Sequence, residues 1–480
     1  MTKKIIKHSL TVLAFFISFL ALFSAKWYVD VFGQIGFRSV IFTLFSPMEG
    51  TANGIVNDWL LKGLLPALIC AGLLCLFFFK TNIRKALKKA VCIILCICLW
   101  GYGIWVTQIP LYVSGLLTKT DIYDTQYVAP NKTKITFPEN KQNLIYIFLE
   151  SMETTYFSEQ EGGGLNENVI PKLYSLANNN TNFSHNDGVG GWQFVTDTSW
   201  TTAAISAQTA GVALTLPLFD TVPPKDSNIL PNITTINDIL HQNGYNQTVM
   251  FGSKAGFGGK ESYFKQHGVD KILDYTTAKT DGIIEDDYFV WWGMEDTYLF
   301  EYAKRELTAL ASKNKPFNFT MLTADTHHVA GYKCPKCENK FDAQYKNVLH
   351  CSSKQVSEFV DWIKAQPFYQ NTTIVIVGDH CSMDAKFFKE NMKPDYTRRV
   401  YNCIINPRIT AQNPKNRTFT PMDLFPTTLA ALGCKIEGER LGLGTNLFSN
   451  DKTLAETITL EKLNEELNKS SRYYKQNFIN

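Results

Sequence analysis

Apolar residues are distributed along this chain in two different rhythms. In the first 115 positions they form three long runs, SLTVLAFFISFLALFSAKWYV (9–29), WLLKGLLPALICAGLLCLFFF (59–79) and VCIILCICLWGYGIWVTQIPLYV (91–113). Each is close to the roughly 20 residues that an α-helix needs to cross hydrocarbon, and aromatic residues gather at their ends. Three membrane spans are therefore expected within a membrane domain of residues 1–115. From about 141 the rhythm changes. Short β-branched runs such as NLIYIFLE (143–150), NFTMLTADTHH (318–328) and TTIVIVGDH (372–380) alternate with amphipathic stretches such as DTYLFEYAKRELTALASKN and VSEFVDWIKAQPF. Runs apolar on both faces belong to strands covered on both sides, and alternation with helices predicts an α/β fold with a doubly wound, mostly parallel sheet. That domain is expected over 141–450. A polar linker (116–140) precedes it and a charged tail (451–480) follows.

Charge orients the spans. Lys3, Lys4 and Lys7 precede the first run, and Lys80, Arg84, Lys85, Lys88 and Lys89 lie between the second and third. Positive segments stay in the cytoplasm, so an odd number of spans places the large domain outside the cell membrane and makes 30–58 an external loop. The net charge of +3 and the absence of a basic stripe with interleaved aromatics argue against nucleic acid as a partner. Cysteines divide along the same line. Cys70, Cys75, Cys92, Cys96 and Cys98 lie in the apolar runs, while Cys334, Cys337, Cys351, Cys381, Cys403 and Cys434 lie beyond them. Cys334, Cys337, His350 and Cys351 have the spacing of a zinc knuckle, but an oxidising exterior favours a disulfide loop over zinc.

The strand ends carry the chemistry. In open α/β sheets ligands bind just beyond the carboxyl ends of strands, and here those ends present Glu150, Asp379 and His380. Two carboxylates and an imidazole so placed point to a divalent metal site. Between them TSWTTAAISAQTAG (198–211) reads as a helix start with a Thr/Ser cluster in its first turn. A hydroxyl there, beside a metal and a helix amino terminus that favours anions, has the setting of a nucleophile for phosphorus.

Together LES (149–151), DTSWT (197–201), DTHH (325–328), GDH (378–380) and the closing FTPMDLFPTTLAALGCKIEGERLGLGTNLFS (419–449) resemble the lipoteichoic acid synthase and periplasmic-glucan phosphoglycerol transferase family. That family is a branch of the sulfatase and alkaline phosphatase superfamily. The resemblance spans about 140–450 and implies a sulfatase/alkaline phosphatase-like fold behind a helical anchor. It also implies one divalent cation, Mn²⁺ foremost with Mg²⁺ as the alternative, held by Glu150, Thr198, Asp379 and His380. Thr198 would double as nucleophile, with Ser199 and Thr201 as the other candidates in the cluster. His327 would face the transferred phosphate, with the adjacent His328 as alternative. The implied reaction moves glycerol phosphate from phosphatidylglycerol, through a covalent phosphothreonine, to a glycan or teichoic acid hydroxyl at the surface of the cell membrane.

The chain departs from lipoteichoic acid synthases in MFGSKAGFGGKESYFKQHG (250–268). Phe251, Gly258 and Lys260 stand where those enzymes carry His, Trp and Arg, which favours decoration of a glycan over polymer extension. Lys260 can meet a phosphate as a point charge. Trp200, with Trp192, flanks the nucleophile segment and can shape a substrate pocket or simply pack. TDTSWTTAA lacks the Cys/Ser-x-Pro-x-Arg signature from which sulfatases make formylglycine, and one metal-ligand set is too few for a two-zinc phosphatase. A phosphoethanolamine transferase, and a non-catalytic glycan- or lipid-binding module, remain as alternatives.

Overall fold

The computed structural model describes residues 2–33, 37–38, 53–81, 83–215 and 229–479. The chain forms two units, a helical one to Ser114 and a larger one built from Gly115–Ser382 and Phe387–Asn480. Most of the expected external loop 30–58 lies outside the described residues.

In the helical unit, three segments are long and apolar enough to cross a membrane: Ser9–Phe32, Gly54–Lys80 and Lys85–Val106. The first belongs to α1 (Thr2–Phe32), which meets α2 (Leu65–Lys80) and α3 (Lys85–Val106) where Phe15, Ala71 and Cys92 are buried together. Trp100 donates its indole N–H to Ser18 at 3.1 Å and Trp59 to Ser24 at 3.0 Å, so polar groups on these helices find partners on a neighbour. The third span is shifted from the expected 91–113. The helix begins at Lys85, ends at Val106, and a separate helix Ile109–Leu117 follows a break where Gln108 has φ +58°. The apolar run continued past this break, and Pro110 is the local signal that a helix must restart there.

The larger unit is built on a seven-stranded sheet. Its strands are β1 (Asn143–Leu149), β2 (Gly191–Trp192), β3 (Asn246–Phe251), β4 (Lys271–Leu273), β5 (Phe317–Leu322), β6 (Thr372–Gly378) and β7 (Val400–Ile405). Their spatial order is β2-β7-β6-β1-β5-β3-β4. The run from β6 to β4 is parallel; β7 pairs antiparallel with β6, and β2 antiparallel with β7. Every residue of β1, β5 and β6 is buried, as strands covered on both faces require. Among the covering helices are α4 (Pro171–Asn179), α5 (Thr201–Ala210), α6 (Asp296–Ala311), α7 (Gln344–Lys364) and α8 (Leu424–Ala431).

Neither the linker nor the tail is free. Ile135–Thr136 pairs with Lys435–Ile436, and Lys119–Thr120 with Ser470–Ser471. Tyr123 packs on Tyr474 and Phe478 at ring distances of 5.2 and 5.5 Å. Aromatic burial thus closes both ends of the segment onto the sheet domain, which polar composition alone concealed.

Candidate active site

The strand register assembles the site. Leu149 of β1 pairs with Gly378 of β6, and Phe148 with Leu322 of β5, so the three carboxyl ends lie level. The next residue on each chain is Glu150, Asp379 or Thr323. Donor atoms of Glu150, Asp379 and His380 all fall within 4.8 Å of one another, and all three side chains are buried.

Ser151 holds the two carboxylates apart. Its backbone N–H donates to Asp379 Oδ1 at 2.8 Å and its hydroxyl to Glu150 Oε1 at 2.7 Å, from a left-handed φ of +55°. Thr323 Oγ1 accepts the Glu150 N–H at 3.0 Å, and the Thr326 hydroxyl donates to the Glu150 carbonyl at 2.6 Å. His380 donates Nδ1–H to the Cys381 carbonyl at 2.9 Å. Its Nε2 then carries the lone pair, 3.3 Å from Asp379 Oδ2 and 3.9 Å from Glu150 Oε1. Asp379 Oδ2 is buried and makes no hydrogen bond.

Such crowding is costly in the absence of a cation. Burial first, then the Glu150 charge, pushes Asp379 up to about 7. For His380, burial opposes the charged form, but Asp379 and Glu150 outweigh it and hold the imidazole above its ordinary range. An orphaned buried carboxylate oxygen, a second carboxylate and an oriented imidazole fit a divalent cation.

The hydroxyl that reaches this cluster is Thr201. It opens α5, whose first turn has no side-chain cap, and its Oγ1 lies 3.4 Å from His380 Nε2. Small side chains (Ala203, Ala204, Ala207 and Ala210) let this helix sink into the domain, and Gln208 fixes its roll. Gln208 Nε2 donates to the carbonyls of Gly378 and Asp379 at 3.2 and 3.3 Å, while Tyr146 donates to its Oε1. Thr198, the expected ligand and nucleophile, is engaged elsewhere. Its fully buried hydroxyl donates to the Val195 carbonyl at 2.7 Å and accepts the Val195 N–H at 3.0 Å, closing the turn before the helix. Trp200 occupies the N-cap position, largely buried, its carbonyl accepting the Ala204 N–H at 2.8 Å. Trp192 is fully buried in β2 and is a core residue.

Lys260 is not a surface lysine. It is buried, donates to the Phe257 carbonyl at 2.6 Å, and lies 5.4 and 5.0 Å from the rings of Phe251 and Phe257. Burial draws it down to about 8, opposed by Glu150 and Asp379. Gly258, at φ +66°, makes the turn that carries it, and its carbonyl accepts the Thr202 hydroxyl at 2.6 Å.

His327 sits on the loop after β5, its ring tilted against Trp292 at 4.3 Å and stacked on His328 at 4.5 Å. Its Nδ1–H donates to the His328 carbonyl at 2.8 Å, so in the neutral ring Nε2 is the basic atom. Burial holds His327 down to about 4 and His328 well below its ordinary range, so both are uncharged near neutral pH. The loop is fixed by a reciprocal pair: Asp296 Oδ1 accepts the Ala324 N–H at 2.7 Å, and Asp325 Oδ1 accepts the Asp296 N–H at 3.1 Å. His185, His267 and His350 lie in local contacts instead, with Asn186, Asp238 and the Val169 carbonyl.

Sequence reading missed Ser151, Gln208, Trp292 and the pair Glu153–Arg398. Arg398 Nε donates to Glu153 Oε2 at 2.9 Å, Ser382 N–H to Glu153 Oε1 at 2.8 Å, and Arg398 Nη2 to the Ser382 carbonyl at 2.6 Å. The pair clamps the segment just after His380. Ser151 and Gln208 lay inside segments already singled out; Trp292, Glu153 and Arg398 had no local signal.

A family model described as Sulfatase matches residues 142–434. Phosphoglycerol transferase I of Salmonella choleraesuis is 30% identical over 334 residues, covering 67% of this chain and 41% of that protein. The Escherichia coli protein of the same name is 28% identical over 383 residues, covering 74% and 47%. The chain thus spans less than half the length of these curated relatives. Among solved structures, the lipoteichoic acid synthase LtaP from Listeria monocytogenes superposes with a TM-score of 0.52 at 19% identity, covering 68% of this chain and 81% of that one. The lipooligosaccharide phosphoethanolamine transferase EptA from Neisseria meningitidis superposes with 0.51 at 13% identity, covering 89% and 84%. Both share its fold.

Proposed function

Since the chain belongs to the sulfatase family and itself places a hydroxyl at a helix start beside a buried metal-ligand set, we propose that it is a membrane-anchored phosphoglycerol transferase. It takes glycerol phosphate from phosphatidylglycerol and delivers it to a hydroxyl of a cell-envelope glycan or teichoic acid. One observation carries the reading: Thr201 Oγ1 stands 3.4 Å from His380 Nε2 at an uncapped helix amino terminus. The name shared by the curated relatives supports the head group, and the three apolar helices support an anchor that keeps the domain at the outer face of the membrane.

Glu150, Asp379 and His380, with Thr201 completing the set, would hold the cation, Mn²⁺ or Mg²⁺. Bound there, it would lower the pKa of a hydroxyl and offset negative charge on phosphoryl oxygens. Thr201 Oγ attacks phosphorus and the bond from phosphorus to the diacylglycerol oxygen breaks. His327, neutral beforehand, takes the threonine proton and passes it to the departing oxygen. In the second half the acceptor hydroxyl attacks the phosphothreonine, its proton moves through His327, and Thr201 leaves with its hydroxyl restored. Lys260 and the amide groups at the start of α5 face the phosphate charge in both halves. Trp200 and His328 line the same region as substrate-contacting residues.

Donor choice is tested with the full chain in vesicles of phosphatidylglycerol or phosphatidylethanolamine, supplied with Mn²⁺ and a glycoside acceptor. Diacylglycerol release from phosphatidylglycerol alone is the expected result. Release from phosphatidylethanolamine alone reassigns the head group, and no release from either by folded, metal-loaded protein leaves a binding module.

Lys260 gives the pH dependence. With its ammonium at about 8 in the free protein, kcat/KM for the anionic lipid falls as pH rises through that value. Lys260→Met raises KM by about tenfold to a hundredfold, the loss of one charge-assisted contact, and removes that limb of the profile. An unchanged profile in the variant contradicts the role.

A further inference from the structure

A second cluster of metal-ligating side chains lies outside the active site. Cys334 and Cys337 belong to the loop that follows His327, and Cys351 to the first two turns of α7. Cys334 Sγ is 3.5 Å from Cys337 Sγ and 3.8 Å from Cys351 Sγ, and the three sulfurs all lie within 4.8 Å of one another. None is bonded to another. Cys334 and Cys351 are buried and Cys337 is half-buried, which leaves an entry from solvent.

The spacing discriminates between the two fates of clustered thiols. A disulfide joins one pair at about 2.0 Å and leaves a third cysteine over. Tetrahedral zinc with Zn–S bonds of about 2.3 Å separates its thiolates by about 3.8 Å and uses all three. We propose that Cys334, Cys337 and Cys351 form a structural zinc site that ties the His327 loop to α7. This reverses the disulfide expectation for these residues.

The surroundings are those of thiolates. Gln355 Nε2 donates toward Cys351 Sγ at 3.5 Å and Cys334 Sγ at 3.9 Å. The Thr297 hydroxyl lies 3.9 Å from Cys334 Sγ and 3.1 Å from Gln355 Oε1. The Cys337 N–H donates to the Cys334 carbonyl at 3.0 Å, closing the tight Cys-Pro-Lys-Cys turn that brings two sulfurs to one point. The fourth position falls to an oxygen ligand. Water can supply it past the half-buried Cys337, since Asp325, whose buried Oδ2 makes no hydrogen bond, lies outside the group whose donor atoms fall within 4.8 Å of one another. His350, the fourth member of the apparent knuckle, turns to the Val169 carbonyl at 3.1 Å and takes no part.

The test uses the purified full chain, reconstituted with Zn²⁺ or Co²⁺. Wild type is expected to retain about one zinc per chain through dialysis against a weak chelator, and to give a thiolate-to-cobalt charge-transfer band with Co²⁺. Both persist in Asp379→Asn, which removes a ligand of the other site, and both disappear in Cys351→Ser. Should Cys351→Ser not fold, the wild-type spectrum and a count of alkylatable thiols in denatured, unreduced protein decide the matter. A cobalt spectrum without thiolate charge transfer, or two of the three thiols blocked until reductant is added, overturns the proposal.

Discussion

Replacing Thr201 by alanine is expected to lower diacylglycerol release from phosphatidylglycerol by at least about 10³-fold, because it removes the proposed nucleophile. The folded state should hardly change, since the Thr201 side chain is only partly buried and, among the described residues, its hydroxyl meets His380. Thr198→Ala should behave in the opposite way. It removes two hydrogen bonds with the Val195 backbone inside a fully buried turn, a loss of about 1–3 kcal/mol, and leaves Thr201 in place. Turnover per folded molecule therefore survives in Thr198→Ala. Paired measurement of activity and urea midpoint in the two variants separates the roles, and a dead but stable Thr198→Ala would return the nucleophile to that position.

Glu153→Ala should be the most destabilising change near the site. Glu153 is fully buried, whereas Arg398 keeps about a quarter of its side-chain surface exposed and lies 3.5 Å from the Phe388 ring. Removing the carboxylate strands that guanidinium and frees the Ser382 N–H, and breaking such a buried pair costs about 3–5 kcal/mol. The segment after His380 then loses its clamp, so weaker binding of the activating cation should accompany the fall in melting temperature. Calorimetry with and without Mn²⁺ checks both effects. An unchanged melting temperature would show that the pair contributes nothing net.

The parts legible in the sequence were those dictated by local pattern. Apolar runs such as IYIFL and IVIV can only be covered strands, and the parallel register between them forces Glu150, Asp379 and His380 to one level. The proposed nucleophile lies three residues beyond the expected Thr198, because the start of α5 depends on a turn with no sequence signature. Asp197 adopts φ +61° and Thr198 bonds back to Val195, so the helix opens at Thr201, one of the two other hydroxyls of the cluster considered. Glu153 and Arg398 stand 245 positions apart, and no local periodicity joins them. The docked linker and tail were hidden for a related reason: Tyr123, Tyr474 and Phe478 are aromatics in otherwise polar stretches, and only tertiary packing makes them a cluster.

Covalent transfer through Thr201 is read directly by intact-protein mass spectrometry. Wild-type full chain and Thr201→Ala are incubated with phosphatidylglycerol and Mn²⁺ without an acceptor. A mass increase of one glycerol phosphate is expected in wild type, located to the peptide carrying Thr201 and absent from the variant. An adduct of the same mass that persists in Thr201→Ala, or diacylglycerol release by wild type with no adduct formed, would contradict it.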